Sequence, residues 1–167
     1  SEDAALLKPY SNNATNKGVL FYSQNQVNAF VKEANRAGLQ IAIHAIGDAA
    51  FEQVVNAFDF ALKDFPREDH RHTIIHAPLT TPRSLEKAAE LHLGIASQPA
   101  FIHWTLEPLE YLEKILGDRA YKLFNQRDML DLGLKVTGGS DAPCTLPDIG
   151  ESLFAACNHY TSDQSVT

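Results

Sequence analysis

Three side chains carry the chemistry this sequence is equipped for: His44, His76 and Asp141. Each stands at the C-terminal end of a short apolar segment or just beyond it, the end at which α/β enzymes assemble their sites. Two neutral imidazoles and a carboxylate suit a borderline divalent ion such as Zn²⁺, with a coordination position left for water. Singly, each residue has a plainer reading. A lone strand-end His is most often a hydrogen-bonded structural residue, and an Asp two residues before Pro143, after Gly138-Gly139, suits a tight turn. The set gains weight because its members recur at matching places in consecutive units. Asp141 has a further role available, since a carboxylate touching both an ion and its water can take the water's proton as general base. A turn needs backbone N–H groups around Asp141; a ligand needs His44 and His76 nearby.

Positioning these residues requires alternating strands and helices. Ser23 to Gln26 has capping-box spacing, Val27, Phe30, Val31 and Ala34 mark one helical face, and Gly38 suits the helix end. Leu39 to His44 reads as a buried parallel strand, and Phe51, Val54, Val55, Phe58 and Leu62 as a helix after Gly47, with Asp48 its candidate cap. Thr73 to His76 is a second strand, and Thr81-Pro82 the cap and first position of a helix to about Leu91. Gly94 to Ser97 is a third strand. A long connection with Trp104 follows, with helices around Glu107 to Leu116 and Arg119 to Leu132. Leu134 to Thr137 is a fourth strand, and Gly138-Gly139 allow a sharp turn before Asp141. The alternation predicts an α/β protein with a parallel sheet, in a single domain over residues 1–167. A (β/α)₈ barrel needs about 250 residues. Four strands with their helices therefore predict half a barrel, and one that opens in mid-unit, because a helix precedes the first strand.

Charge and composition exclude several partner classes. Fourteen Lys and Arg against 21 Asp and Glu give a net charge of −7, so no basic field exists to neutralise nucleic acid or anionic lipid. No run approaches the ~18 apolar residues of a membrane span, and no basic-then-apolar leader opens the chain. Cys144 and Cys157 make neither a disulfide framework nor a compact zinc knuckle, which points to a reducing, cytoplasmic setting.

The motifs His44-Ala45-Ile46-Gly47-Asp48, His76-Ala77, Ser97-Gln98-Pro99 and Gly139-Ser140-Asp141-Ala142-Pro143 resemble the metal-dependent amidohydrolase superfamily, in the branch that includes N-substituted formamide deformylases. Their order and spacing, 32 residues from His44 to His76 and 65 more to Asp141, look like the fifth to eighth strands of that family's TIM barrel, over about Ala5 to Asn158. The resemblance implies that His44 and His76 ligate a divalent metal, zinc by donor type, and that Asp141 is ligand and general base. It also implies hydrolysis of a small-molecule amide-type, non-peptide C–N bond by metal-activated water. The family's first-strand His-x-His pair and fourth-strand bridging ligand have no counterpart here. Ala49 stands where an Arg is common and Ile75 where a Glu often precedes the His, which bears on substrate class and on hydrogen bonding around the ligands. Alternatives from other classes are a noncatalytic half-barrel module and a phosphoester hydrolase, the latter disfavoured by the lack of a phosphate-binding Gly loop.

Other residues have candidate roles of their own. Gln98 and Trp104, with Phe101 and His103, follow the third strand and could bind substrate, although a loop Trp is as often a packing anchor. His70 and His72 read as part of a solvated loop, and Cys144 as small apolar filler. Four strands cut from a barrel would present two open edges and an apolar inner face, so the chain is expected to self-associate, most simply as a twofold dimer.

Overall fold

Helix α1 (Gln24–Arg36) starts on a reciprocal cap: Ser23 Oγ accepts the Gln26 N–H, and the Gln26 side chain accepts the Ser23 N–H at 2.9 Å. Thr81 and Ser84 repeat the device at α3 (Pro82–Glu90), with Pro82 opening the first turn. The remaining elements are β1 (Ala42–Ala45), α2 (Asp48–Asp64), β2 (Thr73–His76), β3 (Gly94–Ser97), α4 (Leu109–Leu116), α5 (Gln126–Asp131), β4 (Lys135–Gly138) and α6 (Ile149–Cys157). The computed structural model describes residues 2–159; Ser1 and residues 160–167, which the single-domain reading also covers, lie outside the described residues.

All four strands are parallel and ordered β1-β2-β3-β4, the succession a barrel would have. Register aligns Ile43, Ile74, Ile95 and Val136 across the sheet. Because side chains alternate with period two, that row faces the helices, where Ile74 and Ile95 are buried among Phe51, Val55 and Phe58 of α2. The row His44, Ile75, Ala96 and Thr137 takes the other face, with His44 and Thr137 exposed and Ile75 and Ala96 half-buried. This corrects the expected apolar inner face: its residues are small or polar, Ile75 excepted, because the large apolar residues of each strand serve the helix-covered side. A second cluster, built on Leu6, Tyr10, Leu79, Leu112, Ile115 and Phe124, closes the C-terminal end of the sheet.

The segment before α1 is tied to this end by its backbone. Ala5 O accepts from Ala49 N–H at 3.1 Å, and Arg119 donates to the carbonyls of Lys8 and Pro9 at 3.0 and 2.6 Å. Gly47 makes the approach possible, since a Cβ there would stand 1.8 Å from Ala5 O. Asp48 is not the cap of α2. Gly47 holds that position without a side-chain bond, and Asp48 Oδ1 accepts the Leu7 N–H at 2.9 Å, so the carboxylate fastens the N-terminal segment instead.

Three further expectations differ from the structure. The helix read over Arg119 to Leu132 is a 3₁₀ turn (Gly117–Lys122) followed by α5, because Phe124 takes a left-handed φ of 56° and Asn125 recaps the chain by accepting the Asp128 N–H. Strand β1 begins three residues later than Leu39, and α6, capped by Asp148, was not anticipated. His70 and His72 are buried rather than solvated, at 4% and 0% exposure. Arg71 takes a left-handed φ of 54° and pairs with Asp69 at 2.7 Å on the surface, while the histidines on either side of it are buried. His72 Nδ1 accepts the Ile41 N–H, its Nε2 bonds Asn35 Oδ1 at 3.0 Å, and its ring stacks on Phe58 at 4.9 Å. Among the described residues, no helix is long and apolar enough to cross a membrane.

Candidate active site

His76 is the last residue of β2 and His44 the penultimate residue of β1, so the parallel register brings both rings to the same end of adjacent strands. Their centroids lie 4.3 Å apart, edge to face at 75°. His76 is 8% exposed, whereas His44 is open to solvent. Burial, and then the neighbouring His44, hold the His76 pKa below the ordinary histidine value, with Asp141 and Gln98 opposing. The neutral imidazole, the form that ligates metals, is thereby favoured.

Asp141 lies three residues past β4 on an exposed turn in which its carbonyl accepts the Cys144 N–H at 2.8 Å and Thr145 Oγ1 donates to Ser140 O. Both readings of Asp141 therefore find support: it belongs to a tight turn, and it lines the same cavity as His44 and His76. His76, Ala77 and Asp141 all have left-handed backbones, with φ of 74°, 51° and 55°. Such positions cost roughly 1–3 kcal/mol each for non-Gly residues and concentrate where function holds the backbone. Among the described residues, no group of three or more His, Cys, Asp or Glu side chains is placed to hold a metal ion, so Asp141 is not brought together with the two imidazoles as a ligand set. The donor chemistry fits a divalent ion nonetheless: two imidazoles are in contact, one is held neutral, and a carboxylate opens onto the same space.

The cavity measures about 340 Å³. Trp104 lines it, packed edge to face on Phe101 at 5.0 Å, and its indole N–H donates to Cys144 O at 3.2 Å, joining the loops after β3 and β4. Cys144 is an exposed free thiol on the cavity wall rather than filler. Gln98 does not line the cavity. It is buried behind His76, with Nε2 donating to Ala96 O at 3.0 Å and Oε1 lacking a partner of good geometry. His103 turns away to pack on Phe154 of α6 at 5.6 Å. Sequence reasoning missed the floor, supplied by Leu112, Ile115 and Leu116. The apolar face of α4 is visible in the sequence, but not the cavity it meets. Glu107, also among the lining residues, gave no signal.

Comparison with known proteins places this geometry. The chain is 28% identical to the N-substituted formamide deformylase of Arthrobacter pascens over 155 residues, 88% of this chain and 27% of that enzyme. It is 30% identical to the YtcJ protein of Bacillus subtilis (strain 168) over 141 residues, 84% of this chain and 26% of that protein. In structure it resembles a metal-dependent hydrolase from Pyrococcus furiosus, with a TM-score of 0.81 and 28% identity over 99% of this chain and 34% of that one. A second, from Pyrococcus horikoshii OT3, gives a TM-score of 0.79 and 26% identity over 98% and 32%. The chain thus spans about a quarter to a third of the length of these relatives, and its parallel sheet resembles part of a TIM-barrel hydrolase. With a family model matching residues 1–166, the chain belongs to the amidohydrolase family.

Proposed function

We propose that the whole protein is a metal-dependent hydrolase of amide-type, non-peptide C–N bonds in small molecules, and that His44, His76 and Asp141 hold its divalent ion, zinc by donor type. The observation that carries the reading is the contact of the two strand-end imidazoles, 4.3 Å apart, on a cavity that Asp141 also lines. When bound, a divalent ion supplies Lewis-acid polarisation of the carbonyl and a water of lowered pKa. The chain's own residues do the rest. Asp141 accepts the proton of the attacking water at a carboxylate oxygen and passes it to the departing nitrogen as the C–N bond breaks. Gln98 packs behind His76 and fixes its ring, while Phe101 and Trp104 wall one side against bulk water. The relative that acts on N-substituted formamides supports an amide-type substrate over a phosphoester. Two free thiols support a reducing, cytoplasmic setting.

The isolated chain self-associates in this reading. Strands β1 and β4 end the sheet of described residues, and the exposed apolar side chains Phe21, Tyr22 and Phe30 flank β1. Two such four-stranded sheets supply the eight parallel strands of a closed barrel. Metal content tests the catalytic assignment. Zinc bound by the purified chain and lost on His44→Ala, His76→Ala substitution supports it, and a chain that takes up no divalent ion is a noncatalytic module.

A further inference from the structure

Strand β3 brings no candidate ligand to the site, yet the loop that follows it touches both neighbours that do. On one side Phe101, from the 3₁₀ turn Pro99–His103, sets its ring edge to face against His76 at 6.3 Å and 69°. On the other, Trp104 packs on Phe101 at 5.0 Å and 84°, and its indole N–H donates to Cys144 O at 3.2 Å. Cys144 closes the turn that carries Asp141, since its own N–H donates to Asp141 O at 2.8 Å. A run of contacts thus leads from the His76 ring at the end of β2 to the Asp141 backbone beyond β4.

The flanks of that turn are held by Gly139 N–H donating to Ser97 O at 3.0 Å and by Thr145 Oγ1 donating to Ser140 O. Between them, Asp141 to Cys144 are all exposed and Asp141 keeps a left-handed φ of 55°, so burial does little to fix the turn. A reacting group displaced by about 1 Å can cost 10² in rate. We propose that Trp104 is a positioning residue: its N–H pins the Asp141 turn to the Phe101 ring beside His76, so that the carboxylate stays on the cavity His76 lines. The inference rests on the hydrolase reading only for what Asp141 is positioned to do. A tryptophan that merely packs needs its ring and not its N–H.

Trp104 is the single tryptophan of the chain, so its N–H can be removed in two ways. Trp104→Phe keeps an aromatic ring against Phe101, and biosynthetic replacement of Trp104 by benzothienylalanine keeps the whole bicyclic ring with sulfur in place of the N–H. In the metal-free chain, solvent exchange of the Cys144 amide, followed by nuclear magnetic resonance, should accelerate by roughly 3- to 10-fold in both, the scale of one lost hydrogen bond, with the melting temperature little changed. In Zn²⁺ titrations Trp104→Phe should weaken binding by a similar factor, and that loss should vanish when Asp141→Asn is already present, because Trp104 acts through the Asp141 turn. Unchanged Cys144 exchange in the two variants overturns the proposal, and so does a Zn²⁺ loss of equal size with and without Asp141. A wild-type chain that binds no Zn²⁺ overturns the metal assignment instead, and the exchange measurement, which involves neither metal nor turnover, still decides this inference.

Discussion

His44 and His76 share a site but not an environment. His76 is enclosed by Phe101 and Gln98 and held neutral, while His44 is open to solvent, and Asp141 stands on an exposed turn. In the proposed site this division would give one fixed donor and two adjustable ones. If Asp141 is the base as proposed, Asp141→Asn keeps the shape of the turn and removes it, so turnover by the whole protein should fall by roughly 10² or more while the fold and melting temperature hold. Turnover near the wild-type value in a steady-state assay would return Asp141 to its turn. At this scale the sequence was legible where chemistry repeats at strand ends, as with His44, His76 and Asp141. It was not legible where a side chain's direction decides. Gln98 faces the back of His76 rather than the cavity, and nothing in the Ser-Gln-Pro motif states which way the amide turns.

Among the elements, α1, α3 and β2 were readable because local chemistry fixes them: reciprocal caps at Ser23 and Thr81, and a short β-branched run. Elements whose ends depend on tertiary contacts were not. The left-handed Phe124 splits one expected helix, and the docking of Leu7 on Asp48 replaces an expected cap. The buried histidines at the N-terminal ends of the strands give a pH prediction. Burial, then the nearby His70, lowers the His72 pKa from 6.5 to about 4, and burial lowers that of His70 as well. Between those values the unfolded chain binds more protons than the folded one. The stability from neutral His72 is therefore complete above about pH 6.5 and drains away as pH falls toward 4, with a total near 3 kcal/mol. Thermal melts at stepped pH should show the midpoint falling already between about pH 6.5 and 5, before most carboxylates protonate, and a flat midpoint there would contradict the buried network. Gly47→Ala tests the docked N-terminal segment. With a Cβ 1.8 Å from Ala5 O, the variant should lose about 1–3 kcal/mol and expose that segment to limited proteolysis, whereas wild-type resistance would mean the contact carries little.

For the whole molecule, four parallel strands with helices on one face leave a surface that a closed barrel would cover. Light scattering of the purified chain at ~100 μM should show a dimer or larger species, and a stable monomer would refute the argument from open edges and the apolar flank of β1. The strand alternation made the four-stranded parallel sheet legible in the sequence, because each unit folds on local patterns. What lies across the sheet's open face is not encoded in those patterns, and the small and polar residues there, Ala42, Thr73, Gly94 and Thr137, gave no periodic signal. Calorimetric titration of the chain with Zn²⁺ asks whether His44, His76 and Asp141 together hold a divalent ion, as proposed. Binding should be weak but saturable, because three protein donors leave the ion partly solvated, with at least ~10-fold loss in a folded His44→Ala, His76→Ala double variant. An affinity that the double variant leaves unchanged would contradict the assignment.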